Sequence, residues 1–289
     1  LSFDMQPEIA SRMGYRDRSG QQGVERFMKR YFLVAKDVGG LTRIIAAKLE
    51  AQQKKKPEGF RRLLPQRAPQ ALKDKGFTAD GGRINITSDD VMKSDPLNML
   101  RLFIIARREG KDIHPDALSA LTRNLRALNE DVRTSDEGRK LILDAILGGD
   151  DPGLVLRRMN EAGVLGRAIP EFGGIVAQTQ FNMYHHYTVD EHTIRAVEAI
   201  ADMEHGRGEG APLSAEIFPL IENRRALYLA MLLHDTGKGK GDQQIAADRV
   251  DLGVLRTGGW GGPDGAGRQV GIHQNRPLQR LALTPVQIR

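Results

Sequence analysis

The sequence predicts a mainly α-helical protein: a helical bundle with one small β-hairpin, followed by a second α-helical domain. Three observations carry that expectation. Apolar residues recur at three- and four-residue spacing through most of the chain, the period that turns one face of a helix inward. Only residues 76–86 pair two short β-prone runs across a turn. The 289 residues exceed the ~100–200 usual for one domain, so two packed units are expected.

Residues 22–53 read as a helix, or two. Val24, Phe27, Met28, Tyr31, Phe32 and Ala35 form an apolar stripe that Leu41, Ile44, Ile45 and Leu49 continue, until residues 54–57 end it. Residues 48–75 then hold nine basic against three acidic side chains. Nucleic-acid binding would need such a patch. Phe60 is its one aromatic, however, and Pro57, Pro65 and Pro69 interrupt it, so a solvated basic linker is the better reading and a nucleic-acid partner is not expected. Gly76 to Ile86 reads as a hairpin turning at Asp80-Gly81-Gly82.

From Asp89 to about Ile169 the helical period returns. Asp95-Pro96 marks a start, Leu97, Leu100, Leu102, Phe103 and Ile104 follow, and Leu118, Leu121, Leu125 and Leu128 make a further stripe, with Gly110, Gly138, Gly148 and Gly163 as punctuation. A second helical unit is expected beyond these residues. In that second unit Thr188 and Glu191 have the spacing of a capping box for a helix over 188–205. A loop with Gly206, Gly208, Gly210 and Pro212 precedes an apolar helix over 223–235, expected to be buried and to end at a left-handed Gly237. Residues 251–289 differ in kind, with eight glycines, the sole tryptophan and neither lysine nor glutamate. They read as an anomalous tail, frame-shifted or disordered.

Composition narrows the chemistry. With no cysteine, disulfides, thiolate nucleophiles and Cys-ligated zinc are excluded, so any metal must sit on His, Asp and Glu. Hydrophobic residues at 40% and charged ones at 28% argue against wholesale disorder. No apolar run approaches the ~20 residues of a membrane span, and polar side chains interrupt Leu1 to Ala10 where a signal peptide would be apolar. A cytoplasmic protein without a membrane partner is expected. Its formal charge of +6 is modest for this length.

The strongest chemical signal is His192 followed by His234-Asp235 and Gly237-Lys238. His192 lies one turn from Val189 and Ala196, which predicts an imidazole on the apolar face of its helix. Alone, such a histidine is ordinarily a hydrogen-bonded core residue. With His234 and Asp235 at the end of the next apolar helix, a divalent cation becomes the better reading: two imidazoles and a carboxylate suit manganese, iron, zinc or magnesium. The expected metal ligands are therefore His192, His234 and Asp235. A cation held there would acidify a water and polarise a phosphoryl oxygen. Lys238 would add a positive charge for a phosphate oxygen, making Asp235 and Lys238 the candidate catalytic residues. His185 and His186 either support this group or face a substrate, although a loop or helix-entry role fits them better. His114, His205 and His273 carry no expectation.

A histidine about forty residues before a His-Asp-x-Gly-Lys run resembles the HD phosphohydrolase superfamily. The wider chain is more specific. Gln180-Phe181-Asn182-Met183-Tyr184-His185-His186-Tyr187-Thr188-Val189-Asp190-Glu191-His192-Thr193 resembles the entry to the HD domain of bacterial PII uridylyltransferase/uridylyl-removing enzymes. Similar to the same family are Val24-Glu25-Arg26-Phe27-Met28, Asp95-Pro96-Leu97-Asn98-Met99-Leu100-Arg101-Leu102-Phe103 and Arg158-Met159-Asn160-Glu161-Ala162-Gly163-Val164-Leu165-Gly166. The resemblance spans Leu1 to about Val250 and implies that residues 1–177 continue the nucleotidyltransferase region and 178–250 are the N-terminal part of the HD domain.

That resemblance implies a bifunctional enzyme of nitrogen regulation. One domain uses magnesium and UTP to uridylylate a tyrosine of the PII signal protein, an HD domain hydrolyses the modification, and ACT domains sense glutamine. It further implies magnesium or manganese as cofactor and uridylylated PII as partner. The sequence departs from the pattern in three ways. It contains neither a Gly-Ser turn nor an Asp-x-Asp pair for UTP-dependent transfer. Asp248, Asp251 and Asp264 are poorly spaced for a fourth metal ligand, so none is assigned. No ACT-like region follows. Two alternatives stand beside this reading: an HD hydrolase of free nucleotides or a relative of transfer-RNA nucleotidyltransferases, and a catalytically inactive module that docks PII.

Overall fold

The computed structural model describes residues 1–18, 20–54, 69–181, 187–208 and 212–240. The fold is mainly α, as the periodicity predicts. Helices α1 (Gln6–Arg12) and α2 (Gly23–Lys54) come first. A small sheet follows, made of β1 (Gln70–Ala71), β2 (Phe77–Asp80), β3 (Arg83–Ile86) and β4 (Asp112–Ile113). Helices α3 (Val91–Ser94) and α4 (Asn98–Arg108) lie between the last two strands. After β4 come α5 (Pro115–Asn124), α6 (Glu130–Thr134), α7 (Asp136–Leu147), α8 (Pro152–Glu161), α9 (Val164–Ala168) and α10 (Pro170–Ile175). The candidate site is carried by α11 (Val189–Glu204), which precedes α12 (Pro212–Ile217) and α13 (Arg224–Leu233), and by a 3-10 turn over Thr236–Lys240.

Residues 23–54 form one helix rather than two, and its apolar stripe is only partly buried. Val24, Phe27 and Met28 pack with Ala10 of α1 and with Tyr15 and Phe181. Beyond them Tyr31, Val34, Val38, Leu41, Ile45 and Leu49 are exposed. Three basic residues seven apart, and so on one side of the helix, fasten α2 to the body instead. Lys29 Nζ donates to the Gly174 carbonyl at 2.8 Å, Lys36 Nζ to Asn160 Oδ1 at 2.9 Å, and Arg43 pairs with Glu161. Periodicity identifies an apolar face; it does not say what lies against it.

The hairpin is present, with β2 and β3 antiparallel in the register Phe77↔Ile86 to Asp80↔Arg83. Gly81 and Gly82 both have positive φ, at 56° and 82°, which a two-residue turn between twisted strands requires. Strands β1 and β4 extend it to four, in the order β1-β2-β3-β4, with β4 parallel to β3. Each has two residues, too few for any alternation to be read.

Met99, Leu100, Leu102 and Ile105 of α4, Ile142 and Ile146 of α7, Leu156 and Met159 of α8 and Phe172 of α10 are buried in one cluster. The same cluster contains Ile194 and Val197 of α11 and Tyr228 and Leu232 of α13, so the core continues on both sides of residues 177 and 178. Helix α11 packs mainly on α8 and α13, which sets the position of the candidate site.

Several local expectations are corrected. Gly138 does not punctuate a helix; it lies in the first turn of α7, where a Cβ would collide with the carbonyls of Val132 and Arg133. Thr188 is the N-cap of α11, but its side chain makes no capping bond, and Glu191 turns to Arg195 and Arg157 instead. The stretch after Gly208 holds α12 and a 3-10 turn over Phe218–Leu220 rather than only a loop. Helix α13 is amphipathic, with only Tyr228 and Leu232 fully buried. Gly237 is not among the glycines with positive φ, because the chain tightens into the 3-10 turn. His185, His186, most of the basic linker and the tail over 251–289 lie outside the described residues.

Candidate metal centre

Helix α11 begins where Thr188 leaves extended backbone, at φ −66° and ψ 154°, and its first turn carries Asp190 and Glu191, the charges a helix N-terminus favours. His192 follows in that turn. It does not sit on the apolar face as the sequence predicts, because Val189, Ile194, Val197 and Ile200 make the buried stripe while His192 is exposed. The neighbours used for the prediction explain the error: Ala199 is exposed too, since alanine tolerates either environment.

Helix α13 starts at Asn223, whose side chain accepts from the Ala226 N–H at 2.9 Å, and ends at Leu233 with His234 as its C-cap. There the His234 Nδ1–H donates to the Met231 carbonyl at 2.7 Å, which orients the ring and makes Nε2 the nitrogen through which it would bind a metal. Nε2 is 3.3 Å from Asp235 Oδ2. The rings of His192 and His234 have centroids 5.9 Å apart. One potential ligand atom each from His192, His234 and Asp235 thus lies within 4.8 Å of the others.

This donor set fits a divalent cation. Ligands about 2.0–2.2 Å from a common ion are at most about 4.4 Å apart, so a slight side-chain rotation closes the group. Two imidazoles and a carboxylate leave coordination positions for water and substrate, and exposure makes those positions reachable. Lys238 joins the cluster by donating from Nζ to Asp235 Oδ2 at 2.8 Å. The structure therefore brings together all four residues singled out from sequence, though on the surface rather than in the core.

Sequence reasoning missed the groups that hold the ligand-bearing helices. Tyr228 of α13 is buried and donates to Glu204 Oε2 of α11 at 2.6 Å, while Arg224 pairs with the same carboxylate and lies over the Tyr228 ring, 5.3 Å from its centroid. Burial first, and Glu204 next, push the Tyr228 phenol well above its ordinary value of 10.0. The native state keeps a proton that the unfolded chain releases near pH 10. The associated stability is therefore complete below pH 10 and is lost as pH rises through the native value. Tyr228→Phe is expected to remove this alkaline component and to cost about 1–3 kcal/mol at neutral pH. Denaturation curves taken from about pH 8 to pH 11 check this, and identical alkaline slopes for the two proteins would contradict it.

Asp190 was likewise overlooked, because Glu191 beside it has the capping-box spacing. Asp190 is 5% exposed, and its carboxylate accepts from Asn160 Nδ2 at 2.8 Å and the Ala177 N–H at 3.2 Å. Asn160 in turn accepts from Lys36. Burial lowers the pKa of Lys36 and Lys29, and the Asp190 charge opposes that shift in both. A buried carboxylate on the first turn of α11 is thus neutralised from α2. The sequence signal that was available, an acidic residue two before the candidate ligand, does not distinguish it from its exposed neighbours.

Fold and site together define a mainly α-helical protein with a candidate divalent-metal centre between two helices. Comparison with known proteins goes further. Residues 77–168 match the family model described as the uridylyltransferase GlnD third domain, and residues 1–46 that of the GlnD PII-uridylyltransferase; both ranges precede His192. The chain is 54% identical over 254 residues to the bifunctional uridylyltransferase/uridylyl-removing enzyme of Caulobacter vibrioides strain NA1000, an alignment covering 86% of this chain and 27% of the relative. It is 54% identical over 255 residues to the enzyme of the same name from Phenylobacterium zucineum strain HLK1, with the same coverage. The chain belongs to the family of bifunctional uridylyltransferase/uridylyl-removing enzymes and spans about a quarter of the length of these relatives. No solved structure matches it. Among the described residues, no helix is long and apolar enough to cross a membrane.

Proposed function

We propose that this chain carries the uridylyl-removing centre of such an enzyme, hydrolysing the uridylyl-tyrosine ester of PII to PII and UMP. The observation that carries the reading is the meeting of His192, His234 and Asp235 around one point. A divalent cation, magnesium or manganese, supplies Lewis acidity toward a phosphoryl oxygen and activates a water. The protein's residues do the rest. His192, His234 and Asp235 hold the cation, with the Met231 carbonyl keeping the proton on His234 Nδ1. Lys238, steadied by Asp235, offers its ammonium to a non-bridging phosphate oxygen, where charge grows in the transition state. Water adds its oxygen to phosphorus as the bond to tyrosine breaks. The leaving phenolate, whose conjugate acid has a pKa of about 10, takes up the proton that the water gives up and departs as tyrosine without a covalent enzyme intermediate. Uridylyl transfer from UTP is not assigned to these residues, since they include neither a Gly-Ser turn nor an Asp-x-Asp pair.

Manganese titration tests the proposal. A ligand that binds only the native state stabilises it, by about 2.7 kcal/mol at a hundred times its dissociation constant. A rising melting temperature with manganese, together with UMP release from uridylylated PII, is the expected result. Stabilisation without UMP release would favour a docking module, and turnover of free nucleotides alone would favour a general nucleotide hydrolase.

A further inference from the structure

We propose that Gln178 is a positioning residue for this centre, fastening its two halves to each other; the proposal rests on the metal reading of His192, His234 and Asp235. Those halves are far apart in sequence, and the bonds of Tyr228 and Arg224 to Glu204 join α13 to α11 only at the end remote from His192. Gln178 touches both. Its backbone carbonyl accepts from the Val189 N–H at 2.8 Å, at the first residue of α11 and three residues before His192. Its side chain, buried at 8% exposure, donates from Nε2 to the Lys238 carbonyl at 2.6 Å, across 60 residues of chain.

The second bond is the informative one. The Lys238 N–H donates to the Asp235 carbonyl at 3.0 Å, and Lys238 Nζ donates to Asp235 Oδ2 at 2.8 Å, so Asp235 and Lys238 form one tight turn. Holding its last carbonyl fixes the whole turn relative to His192. The other half of the amide is left without a partner, since Gln178 Oε1 is a buried oxygen with no hydrogen bond. An unsatisfied buried acceptor costs about 1–3 kcal/mol. A residue serving only to fill this space would not need an amide; the donor half is what the position uses.

The neighbouring backbone is constrained to match. Ala177 is the only non-glycine residue with positive φ among the described residues, at 59°, and its N–H is held by Asp190 Oδ1. Such a conformation persists only where surrounding contacts determine it. Here it turns the chain after α10 so that the next residue faces the start of α11 and the 3-10 turn at once. Metal sites depend on this kind of support, because residues that orient ligands typically change metal affinity 10–100-fold when removed.

Gln178→Met tests the idea, since methionine matches the side chain in length and lacks the donor. Gln178→Asn is the second variant, retaining an amide that is one methylene too short to reach Lys238. Melting temperature is recorded for each protein without metal and across a manganese titration. The proposal expects the manganese concentration for half-maximal stabilisation to rise at least ~10-fold in both variants, while the metal-free proteins still melt cooperatively. If methionine prevents folding, the asparagine variant decides alone. Variants that melt lower but bind manganese with the wild-type midpoint would show a purely structural residue and overturn the proposal. A wild-type protein that manganese does not stabilise would instead remove the metal centre itself, so the two failures are told apart by the wild-type titration.

Discussion

His234→Ala is expected to abolish manganese-dependent stabilisation and to slow UMP release from uridylylated PII by more than ~100-fold. The substitution removes one of three candidate ligands, and with it the imidazole whose Nδ1–H is fixed on the Met231 carbonyl. Losing a residue that merely supports a ligand costs 10–100-fold, so losing a ligand costs more. Because His234 is exposed, the metal-free variant should melt within a few tenths of a kcal/mol of the parent, as surface substitutions usually do within ±0.5 kcal/mol. Wild-type rates in the variant would defeat the site assignment.

Asp190→Ala is the substitution expected to cost most in stability, about 3–5 kcal/mol, as breaking a buried charged network does. It leaves Asn160 Nδ2 and the Ala177 N–H without their acceptor. It also removes the charge that opposes the desolvation of Lys36 and Lys29. Adding Lys36→Met should recover part of the loss, because the two residues share Asn160 and contacting residues couple by about 0.5–3 kcal/mol. Urea denaturation of the single and double variants measures both effects. A loss below about 1 kcal/mol for Asp190→Ala would mean that the network carries little of the interface between α2 and α11.

These two residues show how unevenly the protein could be read from its sequence. His234 was legible because His-Asp-x-Gly-Lys is a contiguous pattern whose chemistry follows from residue type. Asp190 was not, since nothing local separates a buried carboxylate from the exposed one beside it; its partners come from α8 and α2. The same division holds for the helices. Long stripes such as Leu97 to Phe103 predict α4 correctly, whereas two-residue strands, the 3-10 turns and the open seam of α2 depend on neighbours that periodicity does not identify.

By itself the sequence determined the helical class, the hairpin at Gly81-Gly82, the absence of thiol chemistry and the four residues of the candidate centre. Each is a property of residue type or short-range spacing, which the chain states directly. The tertiary structure alone decided that His192 faces solvent, that α2 is held by lysines and arginine rather than by its full apolar stripe, and that Gln178 reaches Lys238. Burial and long-range hydrogen bonding are set by which elements pack together, and that packing brings into contact residues whose separation in sequence carries no trace of it.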